Sequence, residues 1–579
     1  GESYNKIKPP PEGGWSVNRI MKKVVIIGGV AAGLKAAAKI RRCDSEARIT
    51  VVERGELISY GACGLPYYVS GDVDNINQLM MTPAGALRNT AFFKNVKDVD
   101  VRSKTLATQI NRAAKTVTVK SLITGDTEEL SYDKLVIATG ASPVKPPIPG
   151  IDLGNIHQLW HPDDAKNIRQ GLERGRFEKA VIIGAGLVGL EMAEALKLWE
   201  VDVTVIEMKD QLFPAFLDTE IAGSVAKYAR EQGITVLTGE TVLRFEGEGQ
   251  VAAVVTDKQT VAADLVILSV GVKPNVELAR EAGLAIGVTG AIAVDDHLQT
   301  SDPDIYAGGD CVENINLVSG RKVFAPMGST ANKHGRVIGE NLCGGNAQFR
   351  GVLNSVAVKV LDYNVGKTGI TEREAKELGY EYVTAMVGGH DRPHYMPGAK
   401  IITIKLIADA KTGRLLGAQG FGEGEISKRI DVVAAVITLG GTVSDLFDID
   451  LSYAPPYSGP IDNVAVAANA VMNKLAGKLK GISPLVAKEK MAGKTVFLDV
   501  RSPEECKQIR LSGTTDIQYI PLGQLRSRVG ELNKEDEIVA YCKISLRGYE
   551  AALILEGEGF ENVKVMEGGI VAWPFESEQ

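Results

Sequence analysis

Cysteine is scarce in this sequence of 579 residues: there are six, Cys43, Cys63, Cys311, Cys343, Cys506 and Cys542, and no two stand in C-x-x-C or C-x-x-x-x-C spacing. That excludes a closely spaced redox pair, a disulfide framework and a zinc cage of the usual spacing. No metal centre is expected, and the sparse thiols predict a reducing, cytoplasmic setting. No apolar run reaches the ~18 residues of a membrane-spanning helix, so no membrane partner is expected. An excess of one charge is also lacking. The 65 Lys and Arg against 72 Asp and Glu leave a formal net charge of -7, which gives no bulk attraction to nucleic acid. Residues 1–20 are polar, rich in Pro and Gly, and without the apolar stretch of a signal peptide; they are read as a tag or disordered leader and left out of the fold.

The chain instead uses one local design twice. KKVVIIGGVAAGLKAAAKIRR leads into RITVVER, and EKAVIIGAGLVGLEMAEALKLW leads into DVTVIEM. Each reads as a buried strand, a glycine-rich turn, an amphipathic helix and a second strand ending in Glu. Two such βαβ units predict an α/β chain with two doubly wound dinucleotide-binding domains. The second unit interrupts the first, because LVIATGASPVKPPIPG precedes it and LVILSVGVKPN and TSDPDIYAGGDCVE follow. Residues 21–150 and 272–344 are assigned to one domain and 151–271 to the insert. Over 345–472, hairpin-like strands such as KIITIKLIADAKTGRLLGAQGFG and the helix RIDVVAAVITLG predict an α+β domain. A linker is expected over 473–483 and a small α/β domain over 484–579.

The insert carries a full G-x-G-x-x-G at Gly184, Gly186 and Gly189. Such glycines allow a tight turn and close approach of the backbone to a pyrophosphate at a helix N-terminus. Glu207 ends the next strand, eighteen residues past Gly189. A carboxylate there accepts from both ribose hydroxyls and repels a 2′-phosphate, so NADH is expected over NADPH, with Lys209 moderating the preference. The outer domain has Gly28 and Gly33, with Val30 at the middle position, and Glu53 twenty residues past Gly33. Ala138, Thr139 and Gly140 follow a strand, and Asp310 closes YAGGD, where a carboxylate can hold ribityl hydroxyls. Two dinucleotide sites in one chain point to FAD and NADH on either side of an isoalloxazine, with hydride passing to the flavin.

In this order the motifs resemble the pyridine nucleotide-disulfide oxidoreductases across roughly residues 21 to 470. The resemblance implies FAD on the discontinuous domain, NADH on the insert, and a dimerisation domain, hence a homodimer. SYGACGLP, with Cys63, resembles the S-[FY]-x-x-C-G-x-P signature of the single-cysteine branch. That branch holds coenzyme A-disulfide reductases, NADH-dependent persulfide or polysulfide reductases, NADH oxidases and NADH peroxidases. Its oxidases and peroxidases typically carry a His in the first glycine-rich turn, and GGVAAG has none. A lone thiolate closes no intrachain disulfide, but it can hold half of a substrate disulfide, or a persulfide, until reduced flavin releases it. Pro66 predicts a helix start whose positive end lowers the Cys63 pKa. The branch further implies contacts to coenzyme A from Lys39, Arg42 and Ser59, although Ala62 stands where Asn is frequent. It implies catalytic tyrosines reaching from the partner subunit, at Tyr395 in HYMPGA and Tyr453 in SYAPPYS, which give a hydrogen bond or proton to the departing thiolate. Cys43, Cys311 and Cys343 are read as packing residues.

Residues 484 to 576 resemble a rhodanese domain: FLDVR opens it, YCKISLRG carries the active loop and EGGIVAW closes it. Successive N–H groups from Cys542 to Arg547 form an anion nest, with Lys543 and Arg547 adding positive charge. Cys542 is expected to carry a persulfide; Ser545 departs from the glycine of many relatives. Together these features imply an FAD-dependent NADH:persulfide or polysulfide reductase acting on sulfane-sulfur compounds and CoA persulfide. A coenzyme A-disulfide reductase with an auxiliary rhodanese domain stands as the alternative, and behind it an NADH oxidase or a sulfur carrier or sensor.

Overall fold

The computed structural model describes residues 22–513 and 516–578; the expected leader, 1–20, lies outside them. The first unit is a parallel sheet in the order Ile305–Ala307, Lys134–Ile137, Lys23–Ile27, Arg48–Val52, Asp100–Arg102. Its central strand, Lys23–Ile27, is apolar from Val24 onward because both faces are covered there. Val24 and Ile26 pack with the helices Ala32–Cys43 and Gly328–Leu342. Val25 and Ile27 pack under the antiparallel strands Thr105–Asn111, Thr116–Ser121 and Thr127–Ser131. Each such buried side chain is worth ~1.5–3 kcal/mol.

The second unit repeats the design in the order Thr235–Thr238, Asp202–Glu207, Lys179–Ile183, Leu265–Leu268, Ile156–Gln158, all parallel. The chain leaves the first sheet through Ala141–Pro143 and returns through Val272–Pro274, and these two strands pair antiparallel. Exit and return are thereby fastened side by side.

A five-stranded antiparallel sheet follows, in the order Val356–Val360, Tyr363–Gly369, Leu415–Gly422, Ile401–Asp409, Tyr382–His390. Helices Ser427–Thr438 and Asn463–Leu475 share its core. The last sheet is parallel, in the order Gly481–Ile482, Val563–Met566, Ile538–Tyr541, Val496–Asp499, Ile517–Tyr519. Both ends of the expected linker carry structure, since a helix runs to Leu475 and Gly481–Ile482 is an edge strand. Two residues are too few for a periodic signal. The last unit is docked on its neighbours: Gly388 N donates to Ile544 O at 3.3 Å, Gly568 N to Met386 O at 3.0 Å, and Ser224 Oγ to Ala572 O at 3.2 Å. No helix among the described residues is long and apolar enough to cross a membrane.

Candidate active site

Both glycine-rich turns need glycine for a steric reason. Gly28 sits at φ +114°, and a Cβ there would lie 2.0 Å from the Ala138 carbonyl oxygen; Gly184 sits at φ +99°, with 2.2 Å to that of Ser269. Gly33 and Gly189 let each helix touch its own turn, and Gly186 is the N-cap of Leu187–Leu198. The acids at the strand ends brace these turns. Glu53 accepts from the N–H groups of Gly29 and Gly55, each at 2.7 Å. Glu207 accepts from those of Ala185 at 2.9 Å and Lys209 at 2.8 Å. A carboxylate offers about four lone-pair sites, so acceptor capacity is left for ribose hydroxyls.

Thr139 and Gly140 are held by Asn275, which sequence reasoning missed. Asn275 Nδ2 donates to Thr139 O at 2.8 Å, its N–H to Gly140 O at 2.9 Å, and Thr139 Oγ1 donates to Asn275 O at 2.7 Å. The signal was the KPN that ends the return strand. Burial lifts the Asp310 carboxyl to about 6, and it meets no hydrogen-bond donor among the described residues. Ribityl hydroxyls supply such donors, so these residues fit a flavin dinucleotide. Hydroxyl donors favour the ionised carboxylate, so binding releases a proton here. The apoprotein's FAD affinity is therefore expected to be up to about tenfold weaker at pH 5 than at pH 7.5. A flavin fluorescence titration reads this, and equal affinity would take Asp310 out of the site.

Cys63 lies in the turn Ala62–Gly64, exposed to the cleft. Ser59, at φ +54°, donates its N–H to Gly29 O at 2.9 Å, which ties the cysteine loop to the first glycine-rich turn. The expected helix at Pro66 exists, but it is only Leu65–Ser70, and the expected lowering of the thiol is not found. Burial pushes the Cys63 thiol up, and the acids Glu191 and Asp310 push it the same way. A helix end is worth ~0.3–1 kcal/mol, and burial outweighs it. Helix Gly328–Leu342 also starts beside the sulfur, since a Cβ on Gly328 would lie 3.9 Å from Sγ. Glu191 is a second missed residue. Burial, then Glu194, lifts its carboxyl to about 7, so near neutral pH it still carries a proton that a departing thiolate can use. Its signal was the earlier of two acids, Glu191 and Glu194, in the largely apolar helix LVGLEMAEALKL.

The expected coenzyme A contacts divide. Lys39 Nζ pairs with Glu340 Oε2 at 2.5 Å, so its charge is already answered. Arg42 is exposed, with no acid paired to it among the described residues. Lys333 and Arg336, on the neighbouring helix, are exposed and unpaired in the same sense. Tyr395 and Tyr453 are 64% and 49% exposed, and neither hydroxyl has a hydrogen-bond partner among the described residues.

Cys542 follows the central strand of the last sheet and is fully buried. The carbonyls of Cys542 and Lys543 are turned outward, accepting from Ile570 N at 3.0 Å and Val571 N at 3.2 Å. The N–H groups of Lys543, Ile544 and Ser545 have no acceptor among the described residues, which is the arrangement of an anion nest. Arg547 donates two bonds of 2.7 Å to Glu505 and lies within the electrostatic reach of Cys542. That fork holds Glu505 down at about 2 and fixes the guanidinium beside the sulfur. Ser545 sits at φ +100° with its Oγ buried and unpartnered. Ser545→Gly should therefore stabilise this unit by about 1–3 kcal/mol. Thermal melting of the full chain checks this, and an unchanged or lower Tm would contradict it.

Residues 22–321 match the family model described as pyridine nucleotide-disulphide oxidoreductase. The chain belongs to this family. Residues 355–465 match the family's dimerisation domain and 483–575 a rhodanese-like domain. This oxidoreductase is 39% identical over 455 residues to the NAD(P)H sulfur oxidoreductase (CoA-dependent) of Pyrococcus abyssi, covering 79% of this chain and 99% of that one. It is similar to the solved NAD-dependent persulfide reductase from A. fulgidus, with 47% identity and a TM-score of 0.91 over 95% of this chain and 100% of that one. It is also similar to the reduced Bacillus anthracis CoADR-RHD, with 34% identity and a TM-score of 0.89 over 96% and 98% of the two chains.

The oxidoreductase brings its rhodanese loop against the segment that carries Tyr395. Ile544 lies on Gly388. Just beyond, burial lowers the His390 pKa, with Lys543 and His394 adding to it, and the His394 ring meets that of Tyr395 edge-on. The segment that carries Tyr395 thus begins where the rhodanese loop docks.

Proposed function

We propose that this chain is an FAD-dependent NADH:persulfide or polysulfide reductase, working as a homodimer in a reducing cytoplasm and taking sulfane sulfur carried on coenzyme A. The observation that carries the reading is the pairing of a lone thiol, Cys63, at the meeting of two dinucleotide clefts with a second thiol, Cys542, in an anion nest. Gly28, Gly33, Glu53, Ala138, Thr139, Gly140 and Asp310 hold FAD, and Gly184, Gly186, Gly189 and Glu207 hold NADH. Arg42, Lys333 and Arg336 meet the phosphates of coenzyme A, and Ser59 lines its path to Cys63. The names of the relatives support the same substrate class.

Cys63 thiolate attacks the outer sulfur of CoA persulfide, breaking the S–S bond; Cys63 becomes a persulfide and CoA leaves as its thiolate. The bound flavin supplies the two electrons of NADH. With them and one proton the Cys63 persulfide returns to thiolate and releases H₂S. Glu191 is poised to give that proton, and Tyr395 and Tyr453 of the partner subunit steady the leaving thiolate. Cys542, with Arg547 beside it, collects sulfane sulfur and loads the carrier.

The test is anaerobic kcat/KM for CoA persulfide against CoA disulfide. We expect at least a tenfold preference for the persulfide, about 1.4 kcal/mol, with one sulfide released per NADH. A preference for CoA disulfide would instead establish a disulfide reductase with an auxiliary rhodanese domain.

A further inference from the structure

The fold brings together two thiols that the sequence assigns to packing. Cys43 is the last residue of helix Ala32–Cys43, and Cys343 is the C-cap of Gly328–Leu342. The two helices run close because glycines face the contact. A Cβ on Gly335 would lie 2.5 Å from Ala32 O, and one on Gly339 would lie 2.6 Å from Lys39 Cβ. At their shared end Cys343 Sγ is 3.8 Å from the Ile40 carbonyl oxygen, which also accepts the Asp44 N–H at 2.7 Å. Cys343 is therefore docked on the turn that holds Cys43, close enough for each thiol to feel the other's charge. Both are half-buried and free.

Charges around the pair divide the roles. The Lys39 ammonium, paired with Glu340, also lies within the electrostatic reach of Cys43. Burial, then Cys43, pushes the Cys343 thiol up to about 12, against a small opposing pull from Lys22 and with Asp44 adding to the rise. Cys343 thus keeps its proton while the thiol attended by Lys39 is the nucleophile. The site is distinct from Cys63, which lies at the opposite, N-terminal end of helix Gly328–Leu342.

We propose that Cys43 and Cys343 form a sulfane-sulfur acceptor that closes to a disulfide when polysulfide accumulates. The Cys43 thiolate attacks the terminal sulfur of a polysulfide of n sulfurs. One S–S bond breaks, leaving a Cys43 persulfide anion and a polysulfide of n−1 sulfurs. Cys343 then attacks the inner sulfur of that persulfide, and its proton leaves with the outer sulfur as HS⁻. The two cysteines lose two electrons together, and one sulfane sulfur is reduced to hydrosulfide. The bond fastens the C-terminal ends of two helices whose N-terminal ends frame the first glycine-rich turn and Cys63. The proposal rests on the reductase reading only for the identity of the oxidant.

The experiment treats the full chain, carrying Cys63→Ser and Cys542→Ser, with inorganic polysulfide without oxygen, then alkylates, digests and maps peptides by mass. We expect the peptides of Cys43 and Cys343 to be joined with loss of two hydrogens, reversibly with dithiothreitol. We also expect faster migration on a non-reducing gel, because the bond closes a loop of some 300 residues. Adding Cys343→Ser should trap the Cys43 persulfide. The same map on the unsubstituted chain guards against misfolding of the variants. Two results would overturn the proposal: both thiols still open to alkylation at a dose that modifies Cys63 in the unsubstituted chain, or a Cys43 persulfide that persists beside a free Cys343. Absence of sulfide release from CoA persulfide by the unsubstituted chain would count against the reductase reading alone.

Discussion

Cys63→Ser should lower NADH-dependent sulfide release from CoA persulfide by about 10⁴-fold, the scale seen when an enzyme loses its nucleophile. A serine hydroxyl stays protonated at neutral pH and is a poor acceptor of sulfane sulfur. Among the described residues no other cysteine is placed to substitute, because Cys311 is buried in the sheet core and its sulfur points to the carbonyls of Ile137 and Gly308 at 3.6 and 3.4 Å. NADH should still bleach the flavin of this variant in a rapid-mixing experiment, since Gly184, Gly186, Gly189 and Glu207 are untouched. Cys542→Ser should behave oppositely, turning over CoA persulfide normally while losing turnover of an inorganic sulfane-sulfur donor. Mixed dimers then read the geometry. The Cys542 loop lies by Gly388 and so near Tyr395, the residue expected at the partner's Cys63. A dimer of one Cys63→Ser and one Cys542→Ser subunit should therefore keep turnover of the inorganic donor. Sulfide release by the Cys63→Ser homodimer would end the single-thiol mechanism.

The parts of this molecule legible in the sequence are those set by local geometry. Gly28 and Gly184 are required by backbone collisions within a few ångströms, and such constraints leave a fixed spacing. The strands KVVII and KAVII read as runs because their sheets are covered on both faces. The hairpins and the helix of the third unit follow from their period alone. What stayed hidden depends on residues far apart in the chain. Lys39 looked free until Glu340 was placed beside it, and Cys43 looked like packing until Cys343 arrived on its helix. The thiol of Cys63 was expected to fall because only its own helix was in view. What raises it is burial under the assembled domains, then the acids Glu191 and Asp310, which come from another domain and from a distant segment. Glu505, which orients Arg547, is hidden for the same reason.

Lys405→Met should be the most destabilising single change outside the active site. Lys405 lies on the antiparallel sheet, 1% exposed, and its ammonium bonds to Asp218 at 2.8 Å, Glu220 at 2.5 Å and also Glu372. Asp218 and Glu220 flank the start of helix Thr219–Glu231 of the NADH-binding unit, so one cation holds two units together. Burial pulls the Lys405 pKa down, but Glu220, Asp218 and Glu372 together outweigh it and hold it raised. Lys367, the nearby buried lysine, is no replacement, because burial lowers its pKa. Methionine fills the volume of the lysine stem but leaves three carboxyls facing one another without their cation. Removing one partner of a buried ion pair costs about 3–5 kcal/mol, and that is the expected loss at pH 7.5. The deficit should shrink as pH falls toward 5. The orphaned acids are then protonated in the folded chain, whereas above their ordinary range the unfolded chain ionises them freely and draws the equilibrium away from the folded state. Denaturant titration of the holoenzyme at pH 5.5 and 7.5 reads both numbers. A loss under 1 kcal/mol at pH 7.5, or one that grows as pH falls, would show that the cluster is already neutral without Lys405 and that the two units are held by their apolar contact instead.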